Sequence, residues 1–486
     1  MWKTERLLQK CATMARTPPQ NPLIAVIGAT GTGKSQLAVE LARRFKGEVI
    51  NADAMQLYHG LPIITNKITH EEMKGIPHHL LGSIGFDQDT WTVVEYVKKA
   101  MTVIDEIRGR GRLPILVGGT NYYIRSLLFR ESLIEEIDAS GTEDGSDGES
   151  KEFPILDEST EVLVAKLREL DPVMADRWHP RDRRKIRRSL QICLRTGRPA
   201  SQMYEEQHAR RQTSNAVNED QAASASGPSD LVRFPALLFW VHAAQDVLRA
   251  RLDSRVDKML EKGLLEEVEE LHEFQNQREN IDLTRGIWVS IGYKELLPYL
   301  RARGAGLASE DWLEKSKAKA IEQIKAGTRQ YAKRQIKFIR IQLLNALKDT
   351  RLSNNMFVLD GTDVSQFADN VERPALDIAE QFLNGDTLPD AMALSEAAKE
   401  MLTPKRDYVL SERRDLWVKR ECEMCNVIVV GDEDWKKHVK GRMHRIKEKK
   451  RKKAGARPHR QDTDGSTRRD SGPPQDVLEF KLSDDW

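Results

Sequence analysis

The sequence predicts an α/β fold: a P-loop NTPase-like parallel sheet core with a helical insertion domain, followed by a C-terminal ββα zinc finger. Three observations carry this. An apolar run, Leu23 to Ile27, feeds into Gly28-Ala-Thr-Gly-Thr-Gly33-Lys34-Ser35, after which the apolar period turns helical with Leu37, Ala38, Leu41, Ala42 and Phe45 on one face. Further apolar strands alternate with helical stretches. Near the C-terminus stands Cys422-x₂-Cys425-x₁₂-His438-x₅-His444.

The first of these reads as strand, phosphate-binding loop and helix. Glycines let backbone amides turn toward an anion, the helix N-terminus adds partial positive charge, and Lys34 adds a full one. Gly28, Ala29, Thr30, Gly31, Thr32, Gly33, Lys34 and Ser35 are therefore the candidate diphosphate or triphosphate site. A plain glycine-rich turn needs neither Lys34 nor Ser35 in register.

The 486 residues suffice for two to four domains, and the net charge is only +2, so cations matter by where they cluster. No apolar run approaches the roughly 20 residues that span a bilayer, and the reading is a soluble protein without a membrane partner. Four cysteines argue against a disulfide scaffold and for a reducing compartment. Residues 1–21 form a tail whose first sixteen residues carry Lys3, Arg6, Lys10 and Arg16 against Glu5, with a second methionine at Met14. They read either as a mitochondrial presequence with an internal start or as an untidy terminus.

Gly47 to Asn51 predicts a strand ending at Asp53. Ligands of a parallel sheet collect beyond its carboxyl ends, so Asp53 should stand near the phosphate site. There it could hold Mg²⁺, orient an acceptor or take its proton, or it could simply cap the next element. Pro62 to Phe86 reads as loop, with His78 and His79 structural or substrate-contacting. A helix from Val93 to Ile107 precedes the strand Leu113 to Val117, which opens into Gly118-Gly119-Thr120 where a motor ATPase places its magnesium-binding acid. The missing acid argues against an ATP-hydrolysing machine.

Asp138 to Glu152 and Gln212 to Asp230 are low in complexity and read as disordered loops bounding the insertion, residues 137–230. Between them lies Arg181-Asp-Arg-Arg184-Lys185-Ile186-Arg187-Arg188, read as polyanion contact over a solvated helix face. Helical patterns follow from Gln245 to Phe274 and from Lys315 to Leu344. On the second, Lys325, Arg329, Lys333 and Lys337, with Arg340 following, form one cationic stripe with no acid after Glu322 to neutralise it. Residues 22–136 and 231–384 form the core, and 385–410 reads as a linker. The four Cys and His residues in 411–453 offer the tetrahedral set that zinc prefers, with both imidazoles on a helix and Trp435 and Val439 in the small core. The run from Arg445 to Lys453 suits nucleic-acid binding or nuclear import, and 454–486 reads as disordered tail.

Together these pieces resemble the tRNA dimethylallyltransferases, also called tRNA isopentenyltransferases. The resemblance rests on the P-loop, Asn51-Ala-Asp-Ala-Met-Gln-Leu-Tyr58, Ile64-Thr-Asn-Lys67, Gly75-Ile-Pro-His-His79, Val117-Gly-Gly-Thr-Asn-Tyr-Tyr123, Ser290-Ile-Gly-Tyr-Lys-Glu295 and Thr328-Arg-Gln-Tyr-Ala-Lys-Arg-Gln335. The finger matches the eukaryotic branch. The resemblance implies prenyl transfer from dimethylallyl diphosphate to N6 of adenosine 37 in the tRNA anticodon stem-loop, by a monomer in cytoplasm and mitochondrion, with the nucleus as a further compartment. It implies Mg²⁺ at the leaving diphosphate and structural Zn²⁺ on Cys422, Cys425, His438 and His444. Asp53 would be the general base and Thr30 its catalytic companion on the diphosphate. Asp53, Ala54, Met55, Gln56 and Thr120 would surround the adenine. Arg184, Lys185, Ile186, Arg187 and Arg188, with Arg329, Gln330, Tyr331, Ala332, Lys333 and Arg334, fall on segments that grip the tRNA in the family. Two departures stand out: Ala54 replaces a serine of bacterial relatives, and Val289 stands where they carry a diphosphate-binding arginine, leaving Arg285 as the nearest candidate. The competing readings are a P-loop small-molecule kinase, an adenylate isopentenyltransferase, and a nucleic-acid-binding scaffold with a vestigial P-loop.

Overall fold

A computed structural model describes residues 17–130, 153–206, 232–404 and 418–455, apart from Asp89, Glu279, Asn280, Leu307, Asp349 and Arg351. The presequence reading of the first sixteen residues, both low-complexity loops and nearly all of the 454–486 tail lie outside these residues.

Six strands form one sheet: β1 (Leu23–Gly28), β2 (Gly47–Asn51), β3 (His78–His79), β4 (Leu113–Val117), β5 (Ala236–His242) and β6 (Met356–Asp360). Their order is β3-β2-β4-β1-β5-β6 and every pairing is parallel. A parallel sheet is covered on both faces, which is why its strands are almost uniformly apolar. β1 shows it: Ala25 and Ile27 pack into one core with Tyr96, Ile104 and Trp240, while Ile24 and Val26 pack into a second with Leu37, Leu41 and Phe239.

The principal helices are α1 (Lys34–Phe45), α2 (Val93–Gly109), α3 (Asn121–Leu128), α4 (Thr160–Leu170), α5 (Pro172–Arg177), α6 (Arg183–Thr196), α7 (Gln245–Glu261), α8 (Leu264–Asn276), α9 (Tyr293–Ala305), α10 (Glu310–Phe338) and α11 (Arg373–Asn384). The chain divides into two compact units. Residues 1–140 and 210–407 contain the sheet; residues 141–209 and 408–486 contain α4 to α6 and the Cys/His segment.

Several expectations change in detail. The single helical region expected after Gln245 breaks at Gly263, whose φ of 99° needs glycine, into α7 and α8. α10 starts five residues before Lys315 and passes through a π-turn at Ile339–Leu343 into a further helix, Leu344–Lys348. The expected linker contains a helix, Glu396–Leu402, whose Ala398 and Met401 are buried in the main core. Burying a methionine is worth about 1.5–3 kcal/mol, enough to fix this segment to the sheet unit. Arg340 joins it: its Nη2 donates to the carbonyls of Glu400 at 3.0 Å and Thr403 at 3.3 Å. That residue is buried, so it leaves the cationic stripe.

His78 and His79, which fall in a stretch read as loop, form the edge strand β3, and His79 Nε2 lies 2.6 Å from Glu48 Oε2. Arg110 binds the same carboxylate at 2.8 Å and, as the leading influence, holds it below the usual carboxylate range.

Candidate active site

The P-loop is pinned from several sides. Gly28 has φ +145°, and a Cβ there would fall 2.4 Å from the Val241 carbonyl; at Gly33, φ +93°, it would meet the Phe367 ring at 2.6 Å. Larger residues would displace the loop from β5 and from the ring beneath it. Thr32 Oγ1 donates to the Ala29 carbonyl at 3.0 Å, and Lys34 Nζ donates to the same oxygen at 2.7 Å. Burial draws the Lys34 pKa down to about 8; Asp53 opposes this and Arg255 adds to it. Ser35 is exposed at the start of α1.

Asp53 stands just past the carboxyl end of β2, held by Asn51. That side chain donates to the Asp53 carbonyl at 3.1 Å and the Leu80 carbonyl at 2.8 Å, and accepts the Asp53 amide at 3.0 Å. The carboxylate does cap the next element, since Oδ1 accepts the Met55 amide at 3.1 Å. Oδ2 lies 3.2 Å from where a Gly119 Cβ would be, and a Gly118 Cβ would sit 2.2 Å from the Ala52 carbonyl. The two glycines that follow β4 thus let the chain leaving that strand approach the chain leaving β2. This close approach is the positive reason for glycine where a motor ATPase would carry an acid. Burial pushes the Asp53 carboxyl pKa up, with Lys34 pulling against it.

Around this carboxylate the predicted residues separate. Thr120 Oγ1 accepts the Ala54 amide at 2.9 Å. The Tyr331 hydroxyl is hydrogen-bonded to Thr120 and Gln335, and burial, with Asp53 nearby, raises its pKa far above that of a free phenol. Gln335 accepts the Thr30 amide at 2.8 Å through Oε1 and donates to the Gly119 carbonyl at 3.0 Å through Nε2. Gln56 instead binds its own chain: Nε2 donates to the Asn66 carbonyl at 3.1 Å. Met55 and Ala54 remain half-buried beside Asp53.

The stripe on α10 is not the uniform cationic face expected. Lys325 Nζ pairs with Asp257 at 2.7 Å, and Arg329 pairs with Asp253, both acids lying on α7. The neutralising charges come from a different helix, which the periodicity of α10 alone does not reveal. Ala332 is buried against Ala29, Leu248 and Leu252, so it is packing and not an RNA contact. Gln330, Lys333 and Arg334 remain exposed on one face.

In the second unit, Ile186 is buried and so cannot touch RNA. Its cationic neighbours are partly engaged: Lys185 with Asp182 at 3.1 Å, Arg187 Nε with the Leu156 carbonyl at 3.2 Å, and Arg188 with Gln191 at 3.0 Å. Arg184 is exposed.

The same unit holds an antiparallel hairpin, β7 (Lys419–Cys422) and β8 (Val427–Val430), then α12 (Asp432–Lys440) and α13 (Arg442–Gly455). Ligand atoms of Cys422, Cys425, His438 and His444 all lie within 4.8 Å of one another. His444 Nδ1 is 3.5 Å from Cys422 Sγ, 3.6 Å from Cys425 Sγ and 3.2 Å from His438 Nε2. Those separations suit the edges, about 3.3–3.8 Å, of a tetrahedron around zinc. The imidazoles sit on two helices, not one, because the extended backbone at Gly441 ends α12. That break takes up the five-residue spacing. Val439 is exposed and leaves the expected small core to Trp435. The hairpin also packs on the insertion: Lys419 Nζ donates to the Ala175 carbonyl at 3.0 Å, and His179 Nε2 lies 3.1 Å from the Ile428 carbonyl.

The sequence profile of the IPP transferase family matches residues 56–342. A tRNA dimethylallyltransferase of Schizosaccharomyces pombe is 38 % identical over 451 residues, 90 % of this chain and 97 % of that protein. The chain belongs to the tRNA dimethylallyltransferase family. The mouse tRNA dimethylallyltransferase is 36 % identical over 89 % of this chain and 87 % of its own length. A eukaryotic dimethylallyltransferase solved while acting on tRNA superposes with a TM-score of 0.70 at 32 % identity, covering 90 % of this chain and 98 % of that one.

Membership in the dimethylallyltransferase family does not favour the kinase and free-nucleotide readings. It also sharpens the question of the arginine. Val289 is exposed, and Arg285 is more than half exposed with its Nε 3.0 Å from Asp282. The guanidinium that reaches a P-loop side chain is instead that of Arg255, whose Nη1 donates to Thr30 Oγ1 at 3.2 Å, while Arg251 binds the Gly31 carbonyl at 3.0 Å. Sequence reasoning passed over it because Arg255 sits on α7 among ordinary helical charges, with no motif around it.

Proposed function

We propose that this chain, acting as a monomer, transfers the dimethylallyl group of dimethylallyl diphosphate to N6 of adenosine 37 in the tRNA anticodon stem-loop. The observation that carries the reading is a half-buried carboxylate and a half-buried ammonium, Asp53 and Lys34, within electrostatic reach of each other at the mouth of a P-loop whose neighbouring strand is followed by two glycines. That arrangement separates two tasks. The P-loop amides and Lys34 hold the diphosphate and stabilise the charge it gains on departure. The adenine N6 attacks the allylic C1, the C1–O bond breaks as the C–N bond forms, and the proton lost from nitrogen passes to Asp53. A carboxyl whose pKa burial has raised is a better proton acceptor than an ordinary one.

The base must leave its stack to enter such a site. Thr120 and Tyr331, tied to each other beside Asp53, support orientation of its exposed edge. Gln330, Lys333 and Arg334 on α10, and Arg184 on α6, offer contacts to the RNA backbone. A magnesium ion fits the donor set, because Ser35 presents an accessible hydroxyl and Mg²⁺ binds through few protein oxygens beside phosphate and water. When bound, it supplies positive charge to the leaving diphosphate. Zinc on the Cys422/Cys425/His438/His444 set would hold the hairpin to α12 and α13.

The test is incubation of purified protein with dimethylallyl diphosphate and unmodified tRNA, followed by nuclease digestion and mass spectrometry. A gain of one prenyl group on adenosine 37 alone is the expected result. Transfer to free AMP with tRNA unmodified would refute it.

A further inference from the structure

We propose that Glu267 is a positioning residue for the transfer reaction: from α8 it holds the turn 61–67, and through that turn it sets the orientation of the Gln56 amide beside the adenine. The inference rests on the functional reading above and adds to it a residue that touches neither substrate. Leu264, Val268 and Leu271 anchor α8 in the main core, and Glu267 is the one acid of this helix that is buried. A buried carboxylate needs partners. It finds them 203 and 204 positions back in the chain, in two consecutive backbone amides: Ile63 donates to Oε1 at 2.9 Å and Ile64 to Oε2 at 2.6 Å. Both oxygens are thus spent on charge-assisted bonds to a single turn, and Lys67 favours the charged form.

The turn needs such an anchor. Leu61 and Asn66 have φ of +50° and +49°, a left-handed conformation that is strained for a branched side chain such as leucine. Thr65 Oγ1 donates to the Leu61 carbonyl at 2.6 Å, and Lys67 Nζ donates to the carbonyls of Tyr58 and Gly60. The carbonyls of Thr65 and Asn66, one and two residues past Ile64, accept Gln56 Nε2 at 3.4 Å and 3.1 Å. With both contacts on nitrogen, the Gln56 amide cannot flip. Its Oε1 has no partner among the described residues and stays available as an acceptor. An adenine amino group carries two N–H bonds. Asp53 takes the proton of one, and a fixed acceptor for the other keeps the nitrogen aligned for attack. Freed from Glu267, the turn would carry Gln56 with it.

The experiment compares wild type, Glu267→Gln, Gln56→Ala, the double variant and Thr65→Val. It measures the single-turnover rate of prenyl transfer, tRNA affinity and inhibition by inorganic pyrophosphate. Glu267→Gln turns an NH₂ group toward one of the two amides, and the expected result is a rate loss of about 10- to 100-fold with both affinities unchanged. The double variant should be no slower than Gln56→Ala alone, because the route from Glu267 runs through that side chain. Thr65→Val, which removes the hydroxyl bond to Leu61 and keeps the shape, should show the same pattern in weaker form, and it decides the matter if Glu267→Gln fails to fold. An undiminished rate in Glu267→Gln or in Gln56→Ala would overturn the proposal. So would losses that multiply in the double variant, as a merely structural role predicts, or a loss that appears in tRNA affinity or pyrophosphate inhibition. A wild type that inserts no prenyl group into tRNA would refute the functional reading instead, a result separable from every outcome above.

Discussion

Gln335 reaches back across 305 positions to accept the Thr30 amide at 2.8 Å, while its other end donates to the Gly119 carbonyl at 3.0 Å. One side chain on α10 therefore joins the phosphate loop to the strand end beside Asp53. Gln335 is also buried, so truncating it leaves partners without replacement.

Gln335→Ala should cost about 1–3 kcal/mol of stability, the penalty for stranded buried polar groups, read by denaturant unfolding. Gln335→Glu should be worse for function than for folding. It places a second carboxylate near Asp53 and replaces a neutral acceptor at the P-loop with a charged one. KM for dimethylallyl diphosphate should rise at least about tenfold through like-charge repulsion, and an unchanged KM would contradict the geometry.

The pH profile of kcat/KM should be bell-shaped. Asp53 must be ionised to accept a proton, and its raised pKa moves the acidic limb above the ordinary carboxylate range. Lys34 must be protonated to hold the diphosphate, and its pKa of about 8 places the alkaline limb near that pH. The profile is read under conditions subsaturating in dimethylallyl diphosphate. Asp53→Asn should abolish the acidic limb in its residual activity.

Charge removal on α10 should sort by pairing. Lys333→Ala and Arg334→Ala, at exposed positions, should each weaken tRNA binding and reduce the salt slope by about 1. Arg329→Ala, whose partner is Asp253, should leave the slope almost unchanged and cost up to about 1 kcal/mol of stability. Salt titrations of tRNA affinity distinguish the two classes.

Metal removal should act on the second unit. Chelation, or Cys422→Ser, should unfold the hairpin and α12, because the four ligands supply most of what holds so small an element together. The expected readout is weaker tRNA affinity with kcat at saturating tRNA retained. Loss of kcat with affinity intact would contradict it.

The P-loop strand and its neighbours, Asp53 and the four metal ligands were legible in the sequence, because each rests on local spacing, whereas the two-residue edge strand His78–His79 lay in a stretch read as loop. A strand, a glycine-rich turn and a helix follow one another within the first 45 residues. A Cys/His spacing likewise needs no knowledge of the rest of the chain. What stayed hidden depends on partners distant in sequence. Asp253 and Asp257 quench Arg329 and Lys325 from another helix, and Arg340 turns into the core to meet Glu400. Arg255 reaches Thr30 across 225 positions. Nothing in the periodicity of α7 marks it, whereas the exposed position of Arg285 shows only when the chain is folded.

The most direct test of the central claim is single-turnover transfer of label from dimethylallyl diphosphate to unmodified tRNA by wild type and Asp53→Asn, with ATP and AMP as controls. The account predicts label in wild-type reactions, a loss of about 10²–10⁴ in rate for Asp53→Asn with tRNA and pyrophosphate affinities preserved, and no consumption of ATP. An undiminished rate in Asp53→Asn, or ATP consumed while tRNA stays unlabelled, would contradict it.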